Sequence, residues 1–79
     1  MENTIDIAEL DRLRQAYKDA VERWVASIRA EENLATEDHT VPAVDVWEHA
    51  GFEEEEARDK AKDARQEYED ALRKADFDF

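Results

Sequence analysis

Several residue types that most small domains rely on are scarce in this chain of 79 residues. It has no cysteine, one glycine and one proline. Without cysteine, a disulfide framework and a thiolate metal site are both excluded. A β-rich or loop-rich fold needs turn residues that are missing here. We therefore expect an all-α protein of at most one domain.

Long apolar runs and positive charge are scarce as well. No run of 18 apolar residues occurs, so the sequence predicts no membrane-spanning segment, and residues 1–4 do not begin a signal peptide. The net charge is −12, from 23 acidic and 11 basic residues. This balance disfavours direct binding to nucleic acid phosphates and to anionic membranes. With no targeting signal, the expected location is cytoplasmic.

Alanine is the residue whose spacing is most informative. In the second half of the chain it recurs at steps of four and three residues, at Ala57, Ala61, Ala64, Ala71 and Ala75, with Tyr68 in the one missing slot. Such a period predicts one stripe of a long helix. Small side chains in the stripe allow a neighbouring helix to approach closely.

The first helix is predicted over about residues 7–34. Asp6 is its expected N-cap, with Glu9 three residues later in a capping-box arrangement. Ile5 and Leu10 then stand at the two positions of a hydrophobic staple. The apolar pattern repeats after eleven residues, which predicts little left-handed supercoiling in this half.

The connector is predicted over residues 35–45 and the second helix over about residues 46–76. Asp45 is the expected cap of the second helix, with Glu48 completing a second capping box. Gly51 leaves two alternatives open. The glycine either weakens one continuous helix or ends a short helix over residues 43–50, with the long helix starting near Glu53.

The four glutamates at 53–56 are predicted to form a solvated helix face. Several acids in the second helix precede a base by four residues, the favourable order for ion pairs. These pairs are Glu54–Arg58, Glu56–Lys60, Glu69–Arg73 and Asp70–Lys74. The run is therefore interpreted as surface rather than as a site.

An antiparallel hairpin of the two helices matches large residues with small ones. When the paired residue numbers add up to 81, large side chains of helix one face alanines of helix two, as interdigitating layers require. The pairs include Leu10–Ala71, Tyr17–Ala64 and Trp24–Ala57. The chain is thus predicted to be a two-helix antiparallel hairpin.

One hairpin alone buries little apolar surface. Cores of chains this short rarely supply more than about 3–5 kcal/mol. Helix one also carries a second apolar edge, Val21, Val25 and Ile28, that needs cover. We therefore expect a homodimer that forms a four-helix bundle, or else a hairpin that awaits a different protein.

No catalytic constellation is found in the sequence. His49 has Asp45 and Glu53 four residues to either side, but the Glu-x-x-His spacing of carboxylate-bridged bundles is missing. The sequence therefore predicts no enzyme, no metal site and no cofactor. A small metal-dependent helical-bundle enzyme stays an alternative, in which His49 and its carboxylates converge.

Three aromatic residues are candidate partner-binding residues: Trp47, Phe52 and Phe79. Trp47 either caps the end of the hairpin or binds a partner. The main hypothesis is a non-enzymatic acidic interaction module that binds an unknown protein. The alternative is a nucleic-acid-mimicking inhibitor, whose carboxylates occupy the basic cleft of a DNA- or RNA-binding protein.

Overall fold

The computed structural model describes residues 6–77, with side-chain surroundings for residues 6–75. Two helices, α1 over Ile7–Leu34 and α2 over Val41–Phe77, pack against each other as a hairpin. The molecule is a rod with extents of 63 × 13 × 12 Å. These observations confirm the all-α helical hairpin. Within the described residues, no helix is long and apolar enough to cross a membrane.

The start of α1 has the predicted N-cap but not the predicted capping box. Asp6 is the N-cap, and its Oδ1 accepts from the backbone N–H of Ala8 at 3.2 Å. The Glu9 carboxylate, however, accepts from Nε and Nη2 of Arg12. These two charge-assisted bonds from Arg12 compete with the bond that Glu9 would accept from the Asp6 backbone N–H. They also lower the pKa of Glu9. Ile5 of the predicted staple lies outside the described residues.

The start of α2 differs from the sequence prediction. The helix begins at Val41 rather than at residue 46, so the predicted connector over 35–45 and the cap at Asp45 are wrong. The connector is residues 35–40. The backbone N–H of Val44 donates to the carbonyl of Thr40 at 3.0 Å. Pro42 lies in the first turn, where a missing N–H costs nothing. The helix continues through Gly51 without a break.

The two helices meet along a seam that repeats every seven residues on both sides. Positions of the seam are buried or half-buried, apart from the more exposed Trp47. On α1 they are Leu10, Leu13, Tyr17, Ala20, Trp24, Ser27, Glu31 and Leu34. On α2 they are Ala43, Trp47, Ala50, Glu54, Ala57, Ala61, Ala64, Tyr68, Ala71 and Ala75. Spacing of this kind is typical of coiled-coil packing. The eleven-residue pattern predicted for α1 mixes seam residues with Val21 and Ile28 of the neighbouring apolar edge.

Three contacts between the helices fall within four residues, about one helical turn, of the predicted register. The Tyr17 and Tyr68 rings stack with centroids 6.4 Å apart. The indole N–H of Trp24 donates to Glu54 Oε2 at 2.6 Å. Glu31 lies against Gly51, where a Cβ would stand 3.2 Å from its Oε2. The helices are therefore antiparallel and aligned nearly end to end.

The core along this seam is thin. Among the described residues, the buried apolar side chains are Leu13, Ala20, Ala50, Ala61 and Ala71. The radius of gyration is 18.1 Å, against about 12 Å for a compact domain of this length. Four alanines and one leucine remove little apolar area from water, so one hairpin leaves much of its apolar surface exposed.

Candidate functional site

The closed end of the hairpin carries the acidic excess of the chain. Between Arg29 and Arg58 there is no lysine or arginine, and ten carboxylates occur. We call residues 30–57 the acidic segment. Its carboxylates are Glu31, Glu32, Glu37, Asp38, Asp45, Glu48, Glu53, Glu54, Glu55 and Glu56. The segment comprises the last turn of α1, the connector and the first half of α2.

A groove of about 750 Å³ opens under the connector of this closed end. It is lined by Leu34, Ala35, Thr36, Glu37, Asp38, His39, Ala43, Val44 and Trp47. The connector is held in shape by its own side chains, because Thr36 Oγ1 accepts from the Asp38 N–H and Asp38 Oδ1 accepts from the Thr40 N–H, both at 3.0 Å. We call this site the closed-end groove.

The structure separates the predicted partner-binding aromatics. Trp47 lines the closed-end groove and is 41% exposed. Phe52 is 69% exposed and lies five residues further along α2, about 140° around the helix. Phe79 lies outside the described residues. Trp47 and Phe52 therefore do not form one surface.

Exposed apolar side chains are concentrated in the acidic segment. Nine large apolar residues are exposed among those described, and five of them lie in residues 41–52: Val41, Val44, Val46, Trp47 and Phe52. Carboxylates are interleaved with them along α2. The closed end thus presents apolar and acidic groups together, with no lysine or arginine between them.

The histidine cluster considered as a metal site is a surface pair. His49 Nε2 lies 3.7 Å from Glu53 Oε2, and both side chains are mostly exposed. Within residues 6–75, no group of three or more histidine, aspartate or glutamate side chains is placed to hold a metal ion. Asp45 does not join His49 and Glu53.

The ion pairs predicted for α2 do not form among the described residues. Glu54 instead accepts from Trp24 across the seam. Arg65 pairs with Glu69 at 3.5 Å, and Gln66 Nε2 donates to Asp70 Oδ1 at 2.9 Å. Exposed pairs of this type contribute little to stability, so local preference alone does not decide which partner each side chain takes.

Sequence reasoning missed the closed-end groove because it placed the start of α2 too late. With α2 starting at Val41, Ala43 and Val44 become helix residues that face Leu34 and the connector. The signal was Pro42, which favours the first turn of a helix as well as a connector.

Comparison of the chain with protein-family models, with curated proteins and with solved structures finds no match.

Proposed function

We propose that this protein is a non-enzymatic interaction module. Its working form is a homodimer, in which two hairpins pack into a four-helix bundle, and its closed ends bind another protein. The observation that supports the dimer is a flank beside the seam whose positions are apolar residues, arginines and one glycine.

This flank consists of two stripes with seven-residue spacing. We call it the apolar–arginine flank; it comprises Ile7, Arg14, Val21 and Ile28 of α1 and Gly51, Arg58, Arg65 and Leu72 of α2. The contact between Glu31 and Gly51 places both stripes on the same side of the seam. None of the flank positions is itself an acid, although the Glu31 carboxylate of the seam lies against Gly51. Apolar residues with arginine, and few acids, are typical of interface cores.

The exposed area of the hairpin supports association through this flank. The chain exposes 6157 Å², whereas a compact monomer of its mass exposes about 4,900 Å². The excess exceeds the roughly 800 Å² that each partner buries in a standard interface. A rod of this shape therefore has enough exposed surface for an interface of standard size with a second copy.

Arg58 gives the flank an unused hydrogen-bond donor. Its side chain is half-buried, and Nε is buried without an acceptor among the described residues. The nearest predicted acceptor, Glu54, is bonded to Trp24 instead. An unpaired buried donor is costly. Because the flank positions include no acid, the acceptor in a dimer would come from a residue of the second copy that borders the flank.

The charge distribution favours an antiparallel arrangement of the two hairpins. All 11 bases lie outside the acidic segment. An antiparallel dimer sets each acidic segment beside the base-containing half of the other copy, whereas a parallel dimer would place two acidic segments together. Like charges placed together at an interface are destabilising.

Light scattering coupled to gel filtration tests the dimer. Ile28→Glu should yield a 9.2 kDa monomer, because it places a charge in the flank. Its control is Ala26→Glu, an exposed position on the opposite side of α1, which should stay dimeric. The melting temperature of the parent should rise with concentration. A parent that is monomeric and fully helical at micromolar concentration would contradict the proposal.

A further inference from the structure

We propose that the closed-end groove binds a basic amphipathic segment of a partner protein. One apolar side chain of that segment seats beside Trp47, and its lysines or arginines face the surrounding carboxylates. This inference rests on the protein being an interaction module and names the chemistry of its partner. It does not require the hairpin to be dimeric.

The lining of the groove suits an apolar anchor. Leu34, Ala43, Val44 and Trp47 provide its apolar wall, and its volume of about 750 Å³ lies within the usual range for binding pockets, roughly 300–1,000 Å³. Trp47 leaves 41% of its surface exposed at this site. Exposed tryptophans that become buried on association are among the side chains that contribute most to binding.

The charge around the groove selects a basic partner. Glu37 and Asp38 are part of its lining. No lysine or arginine of residues 30–57 opposes them. A cationic segment therefore gains from electrostatic attraction at every approach, whereas nucleic acids and acidic proteins are repelled.

The connector is already held in the shape that lines the groove. The two bonds among Thr36, Asp38 and Thr40 fix its backbone. A wall that is ordered before binding reduces the entropy lost on association. The apolar wall and the carboxylates are then presented together, which matches the two faces of a basic amphipathic helix.

Titration of the full chain with a helical lysine–leucine peptide of about 18 residues tests this inference. The readout is the two indole N–H signals in a proton–nitrogen correlation spectrum. The Trp47 signal should shift, while that of Trp24, bonded to Glu54 in the seam, should not. A control peptide in which glutamine replaces every leucine keeps the charge and should bind much more weakly.

Variants locate the binding site. Trp47→Ala should weaken peptide binding by about 30-fold, whereas Phe52→Ala should not change it. The pair Glu37→Gln and Asp38→Asn should weaken it by up to about fivefold at low salt, as expected for exposed charges. The control is the double variant Glu55→Gln with Glu56→Gln. It also removes two negative charges, but at positions outside the groove lining. Circular dichroism verifies that each variant is helical, and the Glu37 and Asp38 variant still tests the site if Trp47→Ala does not fold.

Several results would overturn the inference. Equal binding of both peptides with an unchanged Trp47 signal would assign binding to acidic charge alone and would favour a phosphate-mimicking surface. A Trp47 signal that shifts on dilution without peptide would place a second copy of the chain in the groove. No binding by either peptide would also reject it. Light scattering on the same samples separates these results from failure of the dimer proposal.

Discussion

The acidic segment, residues 30–57, has ten carboxylates and no lysine or arginine, whereas residues 6–29 and 58–77 together have eleven of each sign. The same seam runs through both regions, with alanines at Ala50 in one and at Ala61 and Ala71 in the other. Packing therefore depends on side-chain size at seam positions and leaves the surface charge free to differ. Ten like charges repel one another and cost stability. Packing does not require this feature, and it supports the proposal that the closed end binds a basic partner.

The largest effect is expected from filling the seam itself. Ala61→Leu should destabilise the protein by about 1–3 kcal/mol, because a leucine does not fit between closely packed helices. Ala50→Leu, in the acidic segment, should cost a similar amount if the seam is the same in both regions. Lys62→Leu, one residue from Ala61 and exposed, is the control. Chemical denaturation of the three variants measures the comparison, and a harmless Ala50→Leu would show that packing is looser at the closed end.

A smaller loss is expected where the two regions are bonded to each other. Trp24 belongs to residues 6–29, where acids and bases balance, and Glu54 belongs to the acidic segment. The two are joined by a hydrogen bond of 2.6 Å. Bonds to charged groups contribute about 1.5–3 kcal/mol, and partial exposure reduces this value. Trp24→Phe should therefore cost about 1–2 kcal/mol.

Trp47→Phe serves as the control for this bond, since Trp47 has no such partner among the described residues, and it should have little effect on the melting temperature. In a Glu54→Ala background the cost of Trp24→Phe should shrink. If that cost is unchanged, the tryptophan stabilises through packing alone.

The sequence predicted the seam better than it predicted the closed end. Alanine spacing at steps of three and four located the packing face of α2, and large residues on α1 fixed the register to within one turn. Ser27 and Glu31 also occupy the seam, and no hydropathy pattern identifies polar residues as packing positions. Pro42 suits both a connector and a first helical turn. Only the geometry of the whole hairpin decides between them, and the groove depends on that decision.

A modest gain in stability is expected from the one glycine of the acidic segment. Gly51 lies within α2 at an ordinary helical conformation, so alanine there should stabilise the helix by about 0.5–1 kcal/mol. An added Cβ would lie 3.2 Å from Glu31 Oε2, and this carboxylate is the end of a flexible side chain that moves easily. Thermal melts of Gly51→Ala measure the gain. The opposite result is that Gly51→Ala lowers the melting temperature of the parent but raises that of a Glu31→Ala variant. That result would mean that the Glu31 carboxylate is held rigidly.

The smallest effect concerns the open end of the hairpin, where acids and bases pair. The pKa of Glu9 is lowered, chiefly by the hydrogen bonds that Arg12 donates to it. A carboxyl group with a lowered folded pKa adds stability above its ordinary value of 4.5. That contribution is lost as the pH falls through the folded pKa. Arg12→Gln should therefore melt at a slightly lower temperature than the parent at pH 7 and at the same temperature in strong acid.

Arg29→Gln, which removes the same charge from an exposed arginine, corrects for the general effect of net charge. If the two variants follow the same pH profile, the Glu9–Arg12 pair makes no specific contribution, and the open end is stabilised by the seam alone.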